Sequence, residues 1–149
     1  MYGKVIVPTD GSELSLKGVK EGLESAKNYD IPALAVYVVA PDTLSGWSAH
    51  RYEDVSKETI DILRDHRKKE GEKVLNKVKD MADEMGIELK VEIKEGEPYE
   101  EITDLAEKND LIYMSSHGRS GISSLFIGST TDRVIKNTEA TVAVVKAKN

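Results

Sequence analysis

Short β-branched runs alternating with segments of helical period predict an α/β fold: an open, mostly parallel sheet with helices on both faces. Three observations carry this expectation. ALAVYVV (Ala33 to Val39) is apolar on both faces apart from Tyr37, as a strand covered by helices on each side would be. The elements read in the order β-α-β-α-β-α-β-α-β. The 149 residues make one domain of ordinary size, long enough to bury ~70% of its unfolded surface around a single core. No internal repeat or low-complexity linker interrupts residues 1–149, so a single domain is expected.

KVIVPT (Lys4 to Thr9) is the first strand, with Pro8 at its end rather than its middle. Ser12 is placed to cap a helix whose apolar positions Leu16, Val19, Leu23 and Ala26 recur at three- and four-residue spacing and which ends near Asn28. Ala33 to Val39 follows as the second strand. Ala40 to Val55, with Pro41, Gly46, Trp47 and His50, has no steady period and reads as a functional or mobile loop. A long polar helix then runs from about Ser56 to Met85. Ile60 and Leu63 mark its first half, Val74, Val78, Met81 and Met85 its second, and RDHRKKEG between them is a solvated stretch.

Gly86 supplies a left-handed stop to that helix. ELKVEIK (Glu88 to Lys94) alternates Leu89, Val91 and Ile93 with charge, the pattern of a strand with one wet face at a sheet edge. Gly96 and Pro98 turn the chain into YEEITDLAEKN, a short helix with Ile102, Leu105 and Ala106 inward. LIYMS (Leu111 to Ser115) is the fourth strand, TTDRVIKN (Thr130 to Asn137) a short helix, and TVAVVK (Thr141 to Lys146) the last strand.

Composition narrows the function. The formal net charge is −6, with 32% of residues charged, so non-specific attraction to nucleic acid or to an anionic membrane is not expected. The absence of cysteine excludes a disulfide framework, a thiol nucleophile and thiolate metal sites. No apolar run approaches the roughly 18 residues of a membrane span, and Pro8 interrupts the opening MYGKVIVPTD, so a cytoplasmic location is expected.

In open parallel sheets the ligand crevice lies beyond the carboxyl ends of the strands, where the strand order reverses. If the first and fourth strands are neighbours, as in a 3-2-1-4-5 order, this rule selects Pro8, Thr9 and Asp10, the end of the second strand from Val38 to Pro41, and the loop SSHGRSGISSLFIGST (Ser115 to Thr130). Gly118, Gly121 and Gly128 allow backbone N–H groups to point inward around a polyphosphate. Gly128, Ser129 and Thr130 also begin a helix, so free amides, hydroxyls and the positive helix end can face an anion, with Arg119 an added cation. The plainer alternative is a flexible loop followed by an N-cap.

These residues carry a family resemblance. PTDGSE (Pro8 to Glu13), VYVV (Val36 to Val39), EGEP (Glu95 to Pro98), and DLIYMSSHG followed by nine residues and GST together resemble the universal stress protein family over nearly the whole chain. The resemblance implies a Rossmann-like fold of the adenine nucleotide alpha hydrolase type, with a five-stranded parallel sheet ordered 3-2-1-4-5, and binding of ATP or AMP. It places Asp10 on the ribose and Val38 on adenine through its main chain, with Pro8 and Thr9 shaping the floor of the nucleoside pocket. Gly118, Gly128, Ser129 and Thr130 would hold phosphates, with His117 and Arg119 nearby. Any Mg or Mn would arrive only with the nucleotide. The sequence departs from the pattern at Ser115, where nucleotide-binding members usually carry the first glycine of G-x-x-G. A positive φ there would cost a serine ~1–2 kcal/mol, and a side chain pointing into the space of the ribose or phosphates would block them sterically.

Other chemistries find less support. A phospho-receiver site needs adjacent acids after the first strand and an acceptor aspartate after the third, but Gly11 follows Asp10 and the third strand ends in Ile93 and Lys94. His50, His66 and His117 lack metal-ligand spacing. No Gly-Lys-Ser/Thr phosphate loop or evident base is present, so catalytic residues are not assigned and a fast ATPase is not expected. Trp47 and Tyr52 are suited to covering an adenine or meeting a protein partner. The last strand, guarded only by Lys146 and Lys148, is an edge that invites pairing with a second copy, and the resemblance implies homodimers joined there. The leading reading is a nucleotide-binding regulatory homodimer. The alternatives are a nucleotide-free dimeric interaction module and a slow ATPase or self-phosphorylating protein.

Overall fold

The computed structural model describes residues 1–41, 56–117 and 127–147. Its elements are β1 (Val5–Pro8), α1 (Glu13–Tyr29), β2 (Ala33–Val39), α2 (Lys57–Met85), β3 (Leu89–Glu95), α3 (Pro98–Leu105), β4 (Leu111–Ser115), α4 (Ser129–Asn137) and β5 (Thr141–Val145). The five strands are parallel and ordered β3-β2-β1-β4-β5, so the expected reversal next to β1 is present. Strand alternation divides the core. Val5, Val7, Ala33, Ala35 and Tyr37 pack with Val19 and Leu23 of α1 and Leu75 and Val78 of α2. Ile6, Leu34, Val36, Ile112 and Met114 pack with Ile102 of α3 and Val134 of α4.

The pairing registers show where the sheet opens. β2 and β3 pair from Ala33↔Leu89 to Val39↔Glu95, whereas β1 and β4 pair only at Val5↔Leu111 and Ile6↔Ile112. Pro8 accounts for the difference. Leu111 donates to the Lys4 carbonyl at 3.0 Å, and Val5 donates the other way, to Pro32 beyond β2, at 3.0 Å. Even-numbered residues of β1 therefore direct their backbone groups toward β4. Pro8 is the next even position after Ile6, and it has no N–H to extend the ladder.

Helix limits follow local chemistry. The Ser12 and Ser56 hydroxyls accept the Ser15 and Thr59 amides, each at 3.2 Å, and so cap α1 and α2. Gly86, at φ 70°, stops α2 as expected, while Asp30, at φ 55°, plays the same part for α1. The helix expected over Tyr99 to Asn109 ends instead at Leu105. Asp110, 3% exposed, accepts the Glu107 amide at 2.8 Å and pairs with Lys4 at 2.6 Å, which draws residues 106–110 into a turn. The solvated stretch of α2 closes on Gly71, which is buried: the Tyr37 ring occupies the space of its missing Cβ. Among the described residues no helix is long and apolar enough to cross a membrane.

Gly22 makes the same kind of close approach on α1. A Cβ there would collide with Val7 and stand 3.2 Å from the Cβ of Tyr113. Gly22→Ala gains about 1 kcal/mol of helix propensity against about 1–3 kcal/mol of overpacking. The expected result is a lower urea midpoint at unchanged slope; a higher midpoint would show that the helix can move off the sheet without penalty.

Candidate functional site

Beyond the carboxyl ends of β1, β2 and β4 lies a cavity of about 230 Å³. Pro8, Thr9, Asp10 and Ser15 line it from the β1–α1 turn, and Val36 and Val38 line it from β2. Pro98 and Ile102 of α3, Met114 and Ser115 of β4, and Thr130 and Thr131 of α4 complete the wall. Val36, Val38 and Met114 belong to the strand face that packs on α3 and α4, which makes the floor apolar. Asp10 is the one ionisable side chain among the described lining residues.

The wall on the β1 side is a hydroxyl-rich turn. Ser12 N–H donates to Asp10 Oδ1 at 2.9 Å, and Gly11 N–H donates to Thr9 Oγ1 at 3.1 Å. Gly11 takes φ 84°, a conformation that bends the chain sharply into α1. The last backbone bond between this segment and β2 is Thr9 N–H to the Val36 carbonyl at 2.9 Å. By ladder alternation the N–H and C=O of Val38 point the same way as those of Val36, past the place where β1 has turned off. A main-chain donor and acceptor thus face the cleft beside the floor.

Ser115 contributes main chain to the cleft rather than a side chain. It pairs in register with Val145, whose Cγ2 lies 4.0 Å from the space where a Cβ on Gly18 of α1 would stand. Register partners share a face, so the Ser115 side chain belongs to the α1 side of the sheet. Asp30 is the only described non-glycine residue with positive φ, so Ser115 carries none of the strain that would demand glycine. Its carbonyl accepts the Thr131 hydroxyl at 2.7 Å.

That bond helps seat α4. Gly128 is its N-cap at φ −62°, and the Gly128 amide donates to the Ser116 carbonyl at 2.5 Å. A Cβ on Gly128 would come within 3.3 Å of both that oxygen and His117 Cα, so close approach, not backbone conformation, favours glycine there. The first intrahelical bond is Asp132 N–H to the Gly128 carbonyl at 3.0 Å. Between them, the Ser129, Thr130 and Thr131 amides have no intrahelical acceptor and carry the positive end of the helix. Ser129 stands exposed at this mouth, beside the cavity lining, and His117 backs onto Gly128 with Nδ1 3.3 Å from Ser116 Oγ.

Of the residues expected at the site, Pro8, Thr9, Asp10, Val38, Ser115 and Thr130 are brought to one cavity. Gly118, Arg119 and Gly121, and Trp47, His50 and Tyr52 of the long loop, lie outside the described residues. Ser15, Val36, Pro98, Ile102, Met114 and Thr131 join the wall without having been anticipated. Strand alternation was signal enough for Val36 and Met114. Ser15, three residues after the cap, and Thr131, one past the GST run, needed the tertiary turn. Near α3 and α4, the Arg133 guanidinium lies 5.4 Å from the Tyr99 ring centre and 3.4 Å from Glu97. The Tyr99 phenol is raised above its ordinary pKa because it donates to the Glu100 carboxylate, whose charge adds to the effect.

Comparison with known proteins agrees with this geometry. A family model described as "Universal stress protein family" matches residues 1–146. Universal stress protein MJ0531 of Methanocaldococcus jannaschii is 38% identical over 148 residues, spanning 98% of this chain and 83% of that protein. The solved structure of MJ0577 from the same organism superposes with a TM-score of 0.78 at 28% identity, covering 100% of this chain and 99% of that one. A family member from Arabidopsis thaliana, solved with AMP bound, shares the fold with a TM-score of 0.66 at 19% identity, over 97% of this chain and 92% of that one.

Thr131→Val tests how α4 is held. It removes the donor to the Ser115 carbonyl at a buried position, and a loss of about 1–2 kcal/mol in unfolding free energy is expected by chemical denaturation. Unchanged stability would mean that this hydroxyl does not anchor the helix mouth.

Proposed function

Because the chain belongs to the universal stress protein family, we propose that its cleft binds an adenine nucleotide, ATP or AMP, and that the protein works as a nucleotide-dependent regulator in homodimeric form. The observation that carries the reading is the convergence, on one cavity, of Asp10, the outward main chain of Val38 and the α4 amides that lack an intrahelical acceptor. The donor set fits such a ligand. An apolar floor of Val36, Val38, Met114 and Ile102 suits a purine, and the Val38 N–H and C=O suit its polar edge. Asp10 suits the hydroxyls of a ribose. Each charge-assisted bond from the α4 amides would contribute about 1.5–3 kcal/mol, more than the ~0.3–1 kcal/mol of the helix dipole alone. Gly118 and Arg119 would add to the phosphate contacts, and Mg or Mn would enter only with the phosphates. The AMP-bound Arabidopsis relative of the same fold supports the ligand class.

The dimer is supported by the edge position of β5, whose outer side pairs with no other strand among the described residues. Thr141 N–H donates to the Asp110 carbonyl at 3.2 Å, and the Val145 carbonyl accepts the Ser116 amide at 2.8 Å, so odd-numbered positions face β4. The backbone groups of Val142 and Val144 therefore point outward, ready to pair with a second copy.

Calorimetric titration with ATP, AMP and GTP should give heat with the adenine nucleotides. The absence of heat with all three would favour a nucleotide-free interaction module. Asp10→Ala should weaken ATP binding about tenfold, while Ser115→Gly should change it by no more than about twofold, since that side chain lies on the far face. Val144→Pro removes an outward donor and leaves the bonds to β4 intact. It should convert the dimer to monomer in sedimentation; a persisting dimer would place the interface elsewhere.

A further inference from the structure

Beneath Asp10 lie two buried hydroxyls, those of Thr9 and Ser15, at 6% and 4% residue exposure. Their donor and acceptor roles follow from the one partner that can only accept. Ser15 Oγ lies 3.0 Å from the Ser12 carbonyl, which can only accept, so the Ser15 proton goes there. Across the 2.8 Å contact with Thr9, Ser15 Oγ is then the acceptor and Thr9 the donor. With its proton committed, Thr9 Oγ1 presents a lone pair to the Gly11 amide at 3.1 Å. Gly11 is the left-handed hinge between Asp10 and Ser12, and the Ser12 amide holds Asp10 Oδ1 at 2.9 Å. A directed chain therefore runs from Ser15 through Thr9 and Gly11 to the carboxylate at the lip of the cleft.

We propose that Ser15 is a positioning residue for ribose recognition: by fixing the Thr9 rotamer it fixes the Gly11 hinge, and so the direction in which Asp10 presents its carboxylate to the sugar hydroxyls. The inference rests on the reading of the cleft as an adenine-nucleotide site. Ser15→Ala isolates it well. The Ser15 amide that donates to the Ser12 cap is kept, and alanine is the better helix former, so α1 should still form. What is lost is the acceptor for a buried Thr9 proton. The Thr9 hydroxyl then turns toward another acceptor, which shifts the lone pair it presents to Gly11.

The test compares ATP with 2′,3′-dideoxy-ATP, which has the same base and phosphates but neither ribose hydroxyl, by calorimetry on the unaltered chain and on Ser15→Ala, Thr9→Val and Thr9→Ser. The unaltered chain is expected to prefer ATP about tenfold. Ser15→Ala and Thr9→Val should each reduce that preference to about twofold or less with little change in dideoxy-ATP affinity, and Thr9→Ser, which keeps the hydroxyl, should retain it. Full preference in Ser15→Ala overturns the inference. So does an equal loss for both nucleotides, the mark of a general structural role. If the unaltered chain binds both nucleotides equally, the inference falls and the cleft reading stands. If it binds neither, both fall.

Discussion

Pro8 occupies a position of β1 whose backbone faces β4, and its ring leaves no N–H to carry the ladder beyond Ile6 and Ile112. Much of the functional architecture follows from this missing donor. The first and fourth strands part, β1 swings into the Thr9–Gly11 turn, and the space between them becomes the cavity over Val36, Val38 and Met114. The same departure leaves Val38 with backbone groups pointing where no strand continues. A sheet ordered otherwise would have no such gap, because β1 and β4 would not be neighbours.

That space joins an apolar floor to a hydroxyl-rich lip that is not basic. The protein carries a formal charge of −6, and the described lining residues include no cation. What it offers an anion is the mouth of α4, seated by the Gly128 amide on Ser116 and the Thr131 hydroxyl on Ser115. Fixed dipoles of this kind act only at short range and in one orientation. They select a ligand by where its charge sits, whereas a field of lysines would attract any polyanion.

The sequence was most informative where a local rule decides the outcome. Ser12, Ser56 and Gly86 cap as their residue types dictate, and the two-faced apolar character of Ala33 to Val39 identified a central strand. It was least informative where a distant residue overrides a local preference. The end of α3 depends on Asp110 turning back to Glu107 and out to Lys4, a choice the helical composition of AEKN does not reveal. Gly71 looks like part of a solvated stretch until the Tyr37 ring is seen against it. At the cleft, the departure at Ser115 read as a question of backbone strain or of a side chain in the ligand's space. Its answer came from the register with Val145, which turns the side chain to the other face. Thr9 and Ser15 are six residues apart and meet only because Gly11 bends the chain between them.

The outward backbone of Val142 and Val144 has a geometric consequence. A symmetric pair of copies joined along β5 must run the two edge strands in opposite directions, since a regular parallel ladder gives its two strands non-equivalent bonds. Such a pair would form a single ten-stranded sheet with its two crevices opening at opposite ends. Neither ligand could then touch the other, and any message between them would have to travel lengthwise through β4 and β5, starting from the Ser115–Val145 pair at each mouth.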